Sequence, residues 1–520
     1  MCRVGLMESC ATIFSRSKSK KSRVKGIEVK ATGKFVTHVR WAYIAKILAA
    51  SLGVPLYIII GRVLGIEVYG LFMLTISILV FARILSGSGL GPSTGKHVSN
   101  LEGENIDLTY DIVAAGFLTQ TLTAAFFGLI LWLTAARISR LFGIPELTPA
   151  LSIGALILVF FAVTEFSKAC LQGLQRFEYL ALITGTEFVG KLIFSAGLTL
   201  AGFGLIGALD GFALALGIAS VMALFLFLRL GMRWPRLDAP SWRSLIGYSL
   251  PLMLTTASFV VYTELDNIMI GYFVGAGATG LYAAAMVIAR SVPMFSVPIG
   301  QAAAPTIVKL RQSGGPAVEF THRLLKYMVA CFFPVSVGIF VLAPKIMVMV
   351  WGQDFLAGAP VLRVMSIFVL SLSTGVVIAP ILDYLGQAGL RAKWMIVSVT
   401  VNVVLNFILI PRYGGVGAAM ATVLTHTPYV FNNVHILART VGLKSRTLFA
   451  GLAKIFLASA AAGGVGALIL YLSDSVIATL IAGFASYLLF LLVFGIFSPG
   501  EISEVASRMR VGKEEPASVK

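Results

Sequence analysis

Residues 59–72 read IIGRVLGIEVYGLF, and a related pattern, IMIGYFVGAGATGLY, returns at 268–282. At an offset of 210 residues, three glycines of the first stretch fall on three glycines of the second. The same offset aligns GLIGALDGFAL at 204–214 with GGVGAAMATVL at 414–424. Because two separate stretches match at one offset, the sequence predicts an internal duplication.

The composition around these repeats is that of a membrane protein. Of 520 residues, 58% are hydrophobic and 12% are charged, whereas a soluble domain has roughly 25% charged residues. This excludes a soluble enzyme, a disordered chain and a disulfide-rich secreted domain. The run LLFLLVFGIF at 488–497 does not alternate as a barrel strand does, so we predict an all-α polytopic fold.

A transmembrane helix needs about 20 apolar residues. Fourteen such stretches are present: 41–61, 69–90, 111–135, 148–169, 179–201, 203–228, 244–263, 280–304, 324–343, 360–382, 393–411, 415–437, 449–471 and 476–497.

Each predicted repeat unit contains six spans. The first matched stretch lies between spans one and two and again between spans seven and eight. Because six is an even number, both units have the same orientation, and their pseudo-twofold axis is expected along the membrane normal. The predicted parts are a basic cytoplasmic tail at 1–40, an N-lobe at 41–228, a C-lobe at 244–437, two appended helices at 449–497 and a cytoplasmic tail at 498–520.

The basic residues predict the orientation of the bundle. With both termini in the cytoplasm, 31 of the 41 Lys and Arg residues lie on the cytoplasmic side, 6 lie in outer loops and 4 lie within spans. This asymmetry is the positive-inside pattern of membrane proteins. The net charge of +18 is therefore a topology signal, and we expect no nucleic-acid partner. The basic tail could also bind anionic lipid headgroups.

Charged residues inside the spans are candidates for function, because a charge at the bilayer centre costs about 2.5–3.5 kcal/mol. Arg83 in span two and Arg290 in span eight lie on repeat mates, one helical turn apart on the same face. Lys46 in span one could join them. Since arginine binds phosphate bidentately and keeps its charge, we predict a cationic cavity for an anionic substrate. The alternative is snorkelling, or pairing with Glu165 or Glu264.

Three acidic residues are candidates for binding a coupling ion: Glu165 in span four, and Glu264 and Asp266 near the end of span seven. A solvated helix end is the alternative for the last two. Glu187 and Lys191 are four residues apart, so we expect them to neutralise each other on one helix face.

The sequence contains no complete catalytic motif that we recognise. GLGPSTGKH at 89–97 resembles a phosphate-binding loop, but Gly91 and Gly95 enclose three residues instead of four. His97 also stands where a Ser or Thr would bind magnesium. We find no HExxH, and we predict a transporter without cofactor or metal. The cysteines are too scattered for a disulfide framework or a zinc site: they are Cys2, Cys10, Cys170 and Cys331.

Residues 35–497 resemble the polysaccharide-transporter branch of the multidrug/oligosaccharidyl-lipid/polysaccharide (MOP) exporter superfamily. The most specific segments are PKIMVMVWGQDF at 344–355 and NVVLNFILIPRYGGVGAAMATVL at 402–424. The resemblance implies a flippase that moves polyisoprenyl-diphosphate-linked oligosaccharides to the outer leaflet by alternating access. It also implies a V of two six-helix lobes, often with two extra helices. The diphosphate of such a substrate would account for a cationic cavity.

The resemblance also implies the surroundings in which the protein works. Expected partners are the lipid-linked oligosaccharide, membrane lipids, and the polymerase and glycosyltransferases of cell-surface polysaccharide or glycan synthesis. The expected location is the cytoplasmic membrane. One alternative is a cation-coupled drug or metabolite antiporter of the same fold, which favours acidic over basic residues in the cavity. A second is a non-transport component of a polysaccharide assembly complex. The glycan, the carrier lipid and the coupling ion stay open.

Overall fold

A computed structural model describes residues 5–101, 106–232, 239–443 and 445–496. The tail predicted at 498–520, the side chains preceding Arg40, and residues 233–238 between predicted spans six and seven lie outside the described part. Within the described part, every regular element is a helix. The predicted all-α polytopic fold is confirmed.

Fourteen α-helices follow one another along the described chain. They are α1 (Gly5–Leu85), α2 (Leu90–Leu101), α3 (Ile106–Phe142), α4 (Leu147–Gly173), α5 (Phe177–Gly190), α6 (Gly204–Arg229), α7 (Ala239–Phe273), α8 (Ala276–Ser291), α9 (Val297–Gln312), α10 (Ala317–Trp351), α11 (Ala359–Tyr384), α12 (Ala388–Val441), α13 (Ser445–Ser473) and α14 (Val476–Val493). Four short segments join some of them: two π-helices at Lys191–Ala196 and Thr199–Phe203, and two 3₁₀ helices at Val292–Ser296 and Gln353–Gly358.

Several helical runs are long enough to cross the membrane twice. Ten runs in the described part are long and apolar enough to span, and the longest, Ala388–Val441, has 54 residues. A single crossing needs about 20. Glycines with positive φ bend three of the runs: Gly65 in α1, Gly414 in α12, and Gly204 where the second π-helix meets α6. Glycine adopts this conformation without steric strain because it has no Cβ. With these bends, each of the fourteen predicted spans lies on a helical segment.

The backbone at the bends repeats at the offset found in the sequence. Gly65 has φ 72° and ψ 176°, and its repeat mate Gly275 has φ 113° and ψ −180°. Gly204 has φ 59° and ψ −141°, and its mate Gly414 has φ 56° and ψ −135°. Because both pairs agree, the two halves of the chain share the backbone conformation at these bends as well as the sequence pattern.

The two lobes meet through a reciprocal contact next to these bends. Gly70 in the N-lobe lies against the carbonyl of Ala276, and Gly280 in the C-lobe lies against the carbonyl of Ile66. Ile66 and Ala276 are also repeat mates. The contact is therefore two-fold related, and the pseudo-axis runs between Gly70 and Gly280. We call this end of the bundle the Gly65 end.

The lobes share one core in the half of the bundle toward the Gly65 end. Tyr69 and Phe72 from α1 pack in one cluster with Tyr282 and Trp351 from the C-lobe. In the opposite half each lobe has its own core. The molecule is therefore closed at the Gly65 end.

At the opposite end the lobes touch on one side and separate on the other. Gly89, just before α2, lies against the α7 backbone at Ser249 and Met253. On the other side, α9 packs on α10 and α11, and it makes no extensive contact with the described N-lobe. Within the described residues, contact between the lobes at this end therefore involves α7 much more than α9.

The appended helices pack on the outside of the C-lobe. The Tyr487 hydroxyl of α14 donates to the carbonyl of Ala330 in α10 at 2.6 Å. Lys345 of α10 forms an ion pair with Asp474, between α13 and α14, at 2.7 Å. The last helix ends at Val493, four residues before the predicted end, and Gly495 follows it with φ 59°.

Candidate functional site

The N-lobe contains a cluster of five charged side chains, which we call the N-lobe charge cluster. Lys168 of α4 donates to Glu165 of the same helix at 2.7 Å and also to Glu187 of α5. Glu187 accepts a second bond from Lys191, at 2.5 Å, at the start of the first π-helix. The expected pairing of Glu187 with Lys191 is present, and Lys168 extends it across two helices.

Arg83 completes this cluster without an ion pair of its own. Its guanidinium carbon lies 5.0 Å from the centroid of the Phe161 ring on α4, and it interacts electrostatically with Glu165. Its Nε is buried and has no hydrogen-bond partner in the described part of the chain. Since three cations face two carboxylates here, the cluster keeps one net positive charge, and one of its buried donors has no partner among the described residues.

The backbone beneath the cluster is irregular. Lys191–Ala196 and Thr199–Phe203 are both π-helical, and π-helical turns occur frequently at functional sites. The ammonium of Lys191 lies 4.3 Å from the centroid of the Phe212 ring, a distance at which the face of an aromatic ring attracts a cation. The π-helix therefore begins at a side chain held by both a carboxylate and a ring.

Arg290 lies in the C-lobe and is bound by α7. Its Nη1 is 3.3 Å from Glu264 Oε1, and its Nη2 donates to the carbonyl of Thr263. One third of its side chain is exposed. Arg83 and Arg290 are thus held by partners in their own lobes. Tyr57 of α1 lies within electrostatic range of both Glu187 in the N-lobe and Arg290 in the C-lobe.

Lys46 is exposed, near the middle of α1. It forms no ion pair with any described residue. Its neighbour Ile47 is 60% exposed. Among the described residues, Lys46 is thus an exposed cation without an acidic partner.

Asp266 is the centre of a buried polar site in the C-lobe. Its Oδ1 accepts from the amide of Asn406 at 2.6 Å, and its Oδ2 accepts from the hydroxyls of Thr422 at 2.6 Å and Tyr282 at 2.5 Å. Only 1% of Asp266 is exposed. Because α7, α8 and α12 all contribute, a proton or a hard cation bound here would act on three helices at once.

Two further amide oxygens belong to this site. Asn406 also donates to Asn402 Oδ1 at 3.1 Å, and the Oδ1 of Asn406 is buried without a hydrogen-bond partner in the described part. An unsatisfied buried acceptor is unfavourable. Three of the four carboxylate and amide oxygens here accept hydrogen bonds, and the Oδ1 of Asn406 is left as an unpaired acceptor among the described residues.

The lobes are also joined at the Gly65 end by polar and aromatic contacts. Arg62 of α1 donates to the carbonyls of Met349 and of Val350, the latter at 2.7 Å, where α10 ends. Tyr69 of α1 and Trp351 of α10 have ring centroids 5.2 Å apart. A substrate that left at this end would have to break these contacts.

Comparison with protein families identifies a match over more than half of the chain. Residues 59–360 match the family described as polysaccharide biosynthesis protein. An uncharacterized membrane protein of Methanocaldococcus jannaschii is 24% identical over 386 residues, which are 71% of this chain and 89% of the relative. A probable low-salt glycan biosynthesis flippase of Haloferax volcanii, Agl15, is 27% identical over 241 residues, 45% of this chain and 51% of the relative.

Solved structures share the architecture at low sequence identity. The lipid II flippase MurJ, in an inward closed conformation, matches with a TM-score of 0.72 at 16% identity, over 87% of this chain and 98% of that chain. A multidrug resistance transporter of the MATE family in the MOP superfamily, in an inward-facing conformation, matches with a TM-score of 0.63 at 14% identity, over 78% of this chain and 98% of that chain. At these identities the likeness concerns the fold.

Proposed function

Because the chain belongs to the polysaccharide biosynthesis protein family, in the polysaccharide-transporter branch of the MOP superfamily, we propose that it flips polyisoprenyl-diphosphate-linked oligosaccharides across the cytoplasmic membrane. It is a multi-pass membrane transporter. The proposal concerns what it carries and how. The glycan would serve cell-surface polysaccharide or glycan synthesis, and its polymerase and glycosyltransferases would be functional partners.

The observation that carries the proposal is that the lobes share a core toward the Gly65 end, have separate cores toward the opposite end, and both contain cations. We infer that the lobes part laterally between α1 and α9. A lipid-linked headgroup could enter there while its hydrocarbon chain stays in the bilayer. Lys46 would meet the diphosphate at the opening, and Arg83 and Arg290 would bind it deeper. One guanidinium group can donate two parallel hydrogen bonds to the oxygens of one phosphate, which suits this role.

The balance of charge favours an anionic substrate over a cationic drug. Five cations belong to these groups, counting the three of the N-lobe charge cluster together with Lys46 and Arg290, against four carboxylates at 165, 187, 264 and 266. An antiporter for cationic drugs favours the opposite balance.

Transport of the lipid-linked sugar by the isolated protein would argue against a purely structural role in an assembly complex.

We further propose that ion binding drives the cycle and that Asp266 is the principal coupling residue. Its carboxylate is buried and bound by three side-chain donors from two other helices, so its occupancy affects how these helices pack. Glu165 and Glu264 are the other two candidates. Each is bound by a cation, so each is better placed to respond to a bound anion than to hold a coupling cation.

Leaflet transfer by purified protein in liposomes tests the proposed substrate class. The probe is a polyprenyl-diphosphate-linked disaccharide, and the readout is access of an impermeant glycosidase to sugar that started on the inner face. The wild type should accelerate transfer. Replacing both arginines, Arg83→Ala with Arg290→Ala, should slow it at least about tenfold, because two charge-assisted contacts are lost.

The control variant also removes two positive charges, but at positions away from the proposed binding site. Arg137→Ala with Arg363→Ala changes two exposed arginines toward the Gly65 end, and it should transfer as fast as the wild type. Wild-type transfer with an unimpaired Arg83/Arg290 variant would refute the site assignment. No acceleration by the wild type would refute the substrate class.

A further inference from the structure

Glu264 joins the proposed anion site to the contact between the lobes. Its Oε1 lies 3.3 Å from Arg290 Nη1, and its Oε2 accepts from the Ser77 hydroxyl at 2.9 Å. Glu264 and Arg290 belong to the C-lobe, whereas Ser77 lies on α1 in the N-lobe. The Ser77 oxygen also accepts from the amide of Asn267 at 3.0 Å. One carboxylate therefore holds the arginine with one oxygen and the opposite lobe with the other.

The two halves of this linkage differ in accessibility. The Arg290 side chain is 33% exposed and that of Glu264 is 15% exposed, whereas Ser77 is completely buried. An anion can thus reach the guanidinium group, but it cannot reach the Ser77 hydroxyl. Leu74 packs against Gly271 close by on the same two helices, so the Ser77 bond lies within a packed part of the seam between α1 and α7.

Four other carboxylates in the described part of the chain have partners in one lobe only. Glu165 and Glu187 are bound by lysines of the N-lobe, and Asp266 is bound by C-lobe side chains. Near the end of α11, Asp383 binds Arg391 within the C-lobe. Among these groups, Glu264 is the one through which a change at a cation reaches the opposite lobe.

We propose that Glu264 is a displaceable counter-ion that couples binding of a diphosphate to loosening of the seam between the lobes. The inference rests on the proposed function, since it requires an anionic substrate at Arg290. A phosphate group takes Arg290 because it accepts two parallel N–H bonds, whereas Glu264 holds one nitrogen. The nearby phosphate charge then repels the carboxylate, which leaves both Arg290 and Ser77.

Thermodynamic reciprocity links the two effects. If diphosphate binding weakens the bond between Glu264 and Ser77, then weakening that bond must strengthen diphosphate binding by the same factor. The substrate-free protein would therefore keep its lobes joined through Glu264 and Ser77. In the protein with bound diphosphate, the lobes would be free to move relative to each other. The residue acts by positioning Arg290 and the seam, and it contributes no direct bond to the substrate.

Binding of geranylgeranyl diphosphate to purified protein tests the counter-ion role. Binding of geranylgeraniol, which lacks the diphosphate, measures the contribution of the hydrocarbon chain and is subtracted. Glu264→Gln keeps an oxygen for Ser77 but removes the competing charge. It should bind the diphosphate about tenfold more tightly, because Arg290 no longer has to leave an ion pair. The matched control, Asp383→Asn, breaks a carboxylate–arginine pair away from the seam and should bind as the wild type does.

A distance measurement tests the coupling itself. Spin labels at positions 141 and 356 lie on exposed residues of the N-lobe and C-lobe toward the Gly65 end, in a chain whose own cysteines are replaced by alanine. The diphosphate should lengthen the distance between the labels in the wild type. In Glu264→Gln the same probe should leave the distance unchanged, because the bond to Ser77 no longer depends on Arg290.

The outcomes separate this inference from the proposed function. If Arg290→Ala binds the probe as the wild type does, the anion site is wrong and the inference fails with it. If Arg290→Ala loses binding while Glu264→Gln matches the wild type in affinity and in distance change, only the counter-ion role is overturned. Should Glu264→Gln not fold, Ser77→Ala should tighten binding by a factor of about two to five, and an unchanged affinity would overturn the inference.

Discussion

At the scale of single residues, Lys168 illustrates how long-range contacts define the site. It lies one residue before the end of predicted span four, and the orientation count places it with the cytoplasmic residues. In the structure α4 continues to Gly173, and Lys168 binds both Glu165 and Glu187. Its three-residue spacing from Glu165 was a local signal for the first pair. The second pair depends on how α5 packs against α4.

The residues around Asp266 carry a weaker signal in the sequence. Asn402 and Asn406 stand out as amides four residues apart in an apolar helix, and such residues bond between membrane helices. Thr422 and Tyr282 do not stand out, since hydroxyl side chains are common in spans. Only the approach of α8 and of both halves of α12 to α7 makes these four residues neighbours of one carboxylate.

Replacement of Asp266 by Asn should uncouple transport from the driving ion. The amide has nearly the same shape but no charge, so it binds a cation far less well. In liposomes with an imposed sodium or proton gradient, the gradient's stimulation of leaflet transfer should fall at least about tenfold, to near the rate without a gradient.

Glu319→Gln is the matched control for this variant. Glu319 is an exposed carboxylate that pairs with Arg323 on one face of α10, and its loss should leave the stimulation by the gradient intact. An Asp266→Asn protein that responds to the gradient as the wild type does would move the coupling site elsewhere.

At the scale of helices, glycines shape the contact between the lobes. Gly65 and Gly275 turn the chain at equivalent points, and Gly70 and Gly280 let the next helices meet backbone to backbone. The sequence repeat predicted the turns, because positive φ is a local property of glycine. It did not predict that two of the matched glycines face each other across the pseudo-axis, which depends on how the lobes dock.

Gly70→Ala should destabilise the closed Gly65 end. The added methyl group would overlap the carbonyl oxygen of Ala276, and overpacking of a tight contact costs about 1–3 kcal/mol. The midpoint of thermal unfolding in detergent should fall by several degrees, roughly 2–4 °C per kcal/mol for a large domain.

Gly338→Ala provides the comparison for that measurement. Gly338 lies inside α10, and no heavy atom of a neighbouring described element comes within 4 Å of the place that an added methyl group would take. The change should therefore leave the midpoint unchanged or raise it slightly, since alanine favours helix. Equal midpoints for the two variants would show that the Gly70 contact does not stabilise the fold.

At the scale of the whole molecule, the distribution of core clusters defines the conformational state. One core crosses between the lobes toward the Gly65 end, and separate cores fill the lobes at the other end. Such a molecule admits substrate from the end where the lobes separate. The basic residues predict that this end faces the cytoplasm, which is the leaflet where the proposed substrate would be assembled.

Labelling of introduced cysteines by an impermeant thiol reagent tests this orientation. Leu141 near the Gly65 end and Tyr384 near the opposite end are similarly exposed, at 65% and 63%. In intact cells of a strain with the native cysteines replaced, Leu141→Cys should react and Tyr384→Cys should react only after the membrane is permeabilised. The reverse pattern would invert the topology and with it the proposed direction of transport.

Hydropathy, glycine positions and the counts of basic residues are local quantities, and they were sufficient to predict the all-α fold, the fourteen spans and the repeat. They also singled out charges whose burial required an explanation. Which charges meet could not be read in this way. Arg290 binds a residue 26 positions away, and Asp266 binds one 140 positions away. Such pairs form only when packing brings separate helices to within about 3 Å, and helix packing depends on the whole set of interlocking side chains rather than on any one segment.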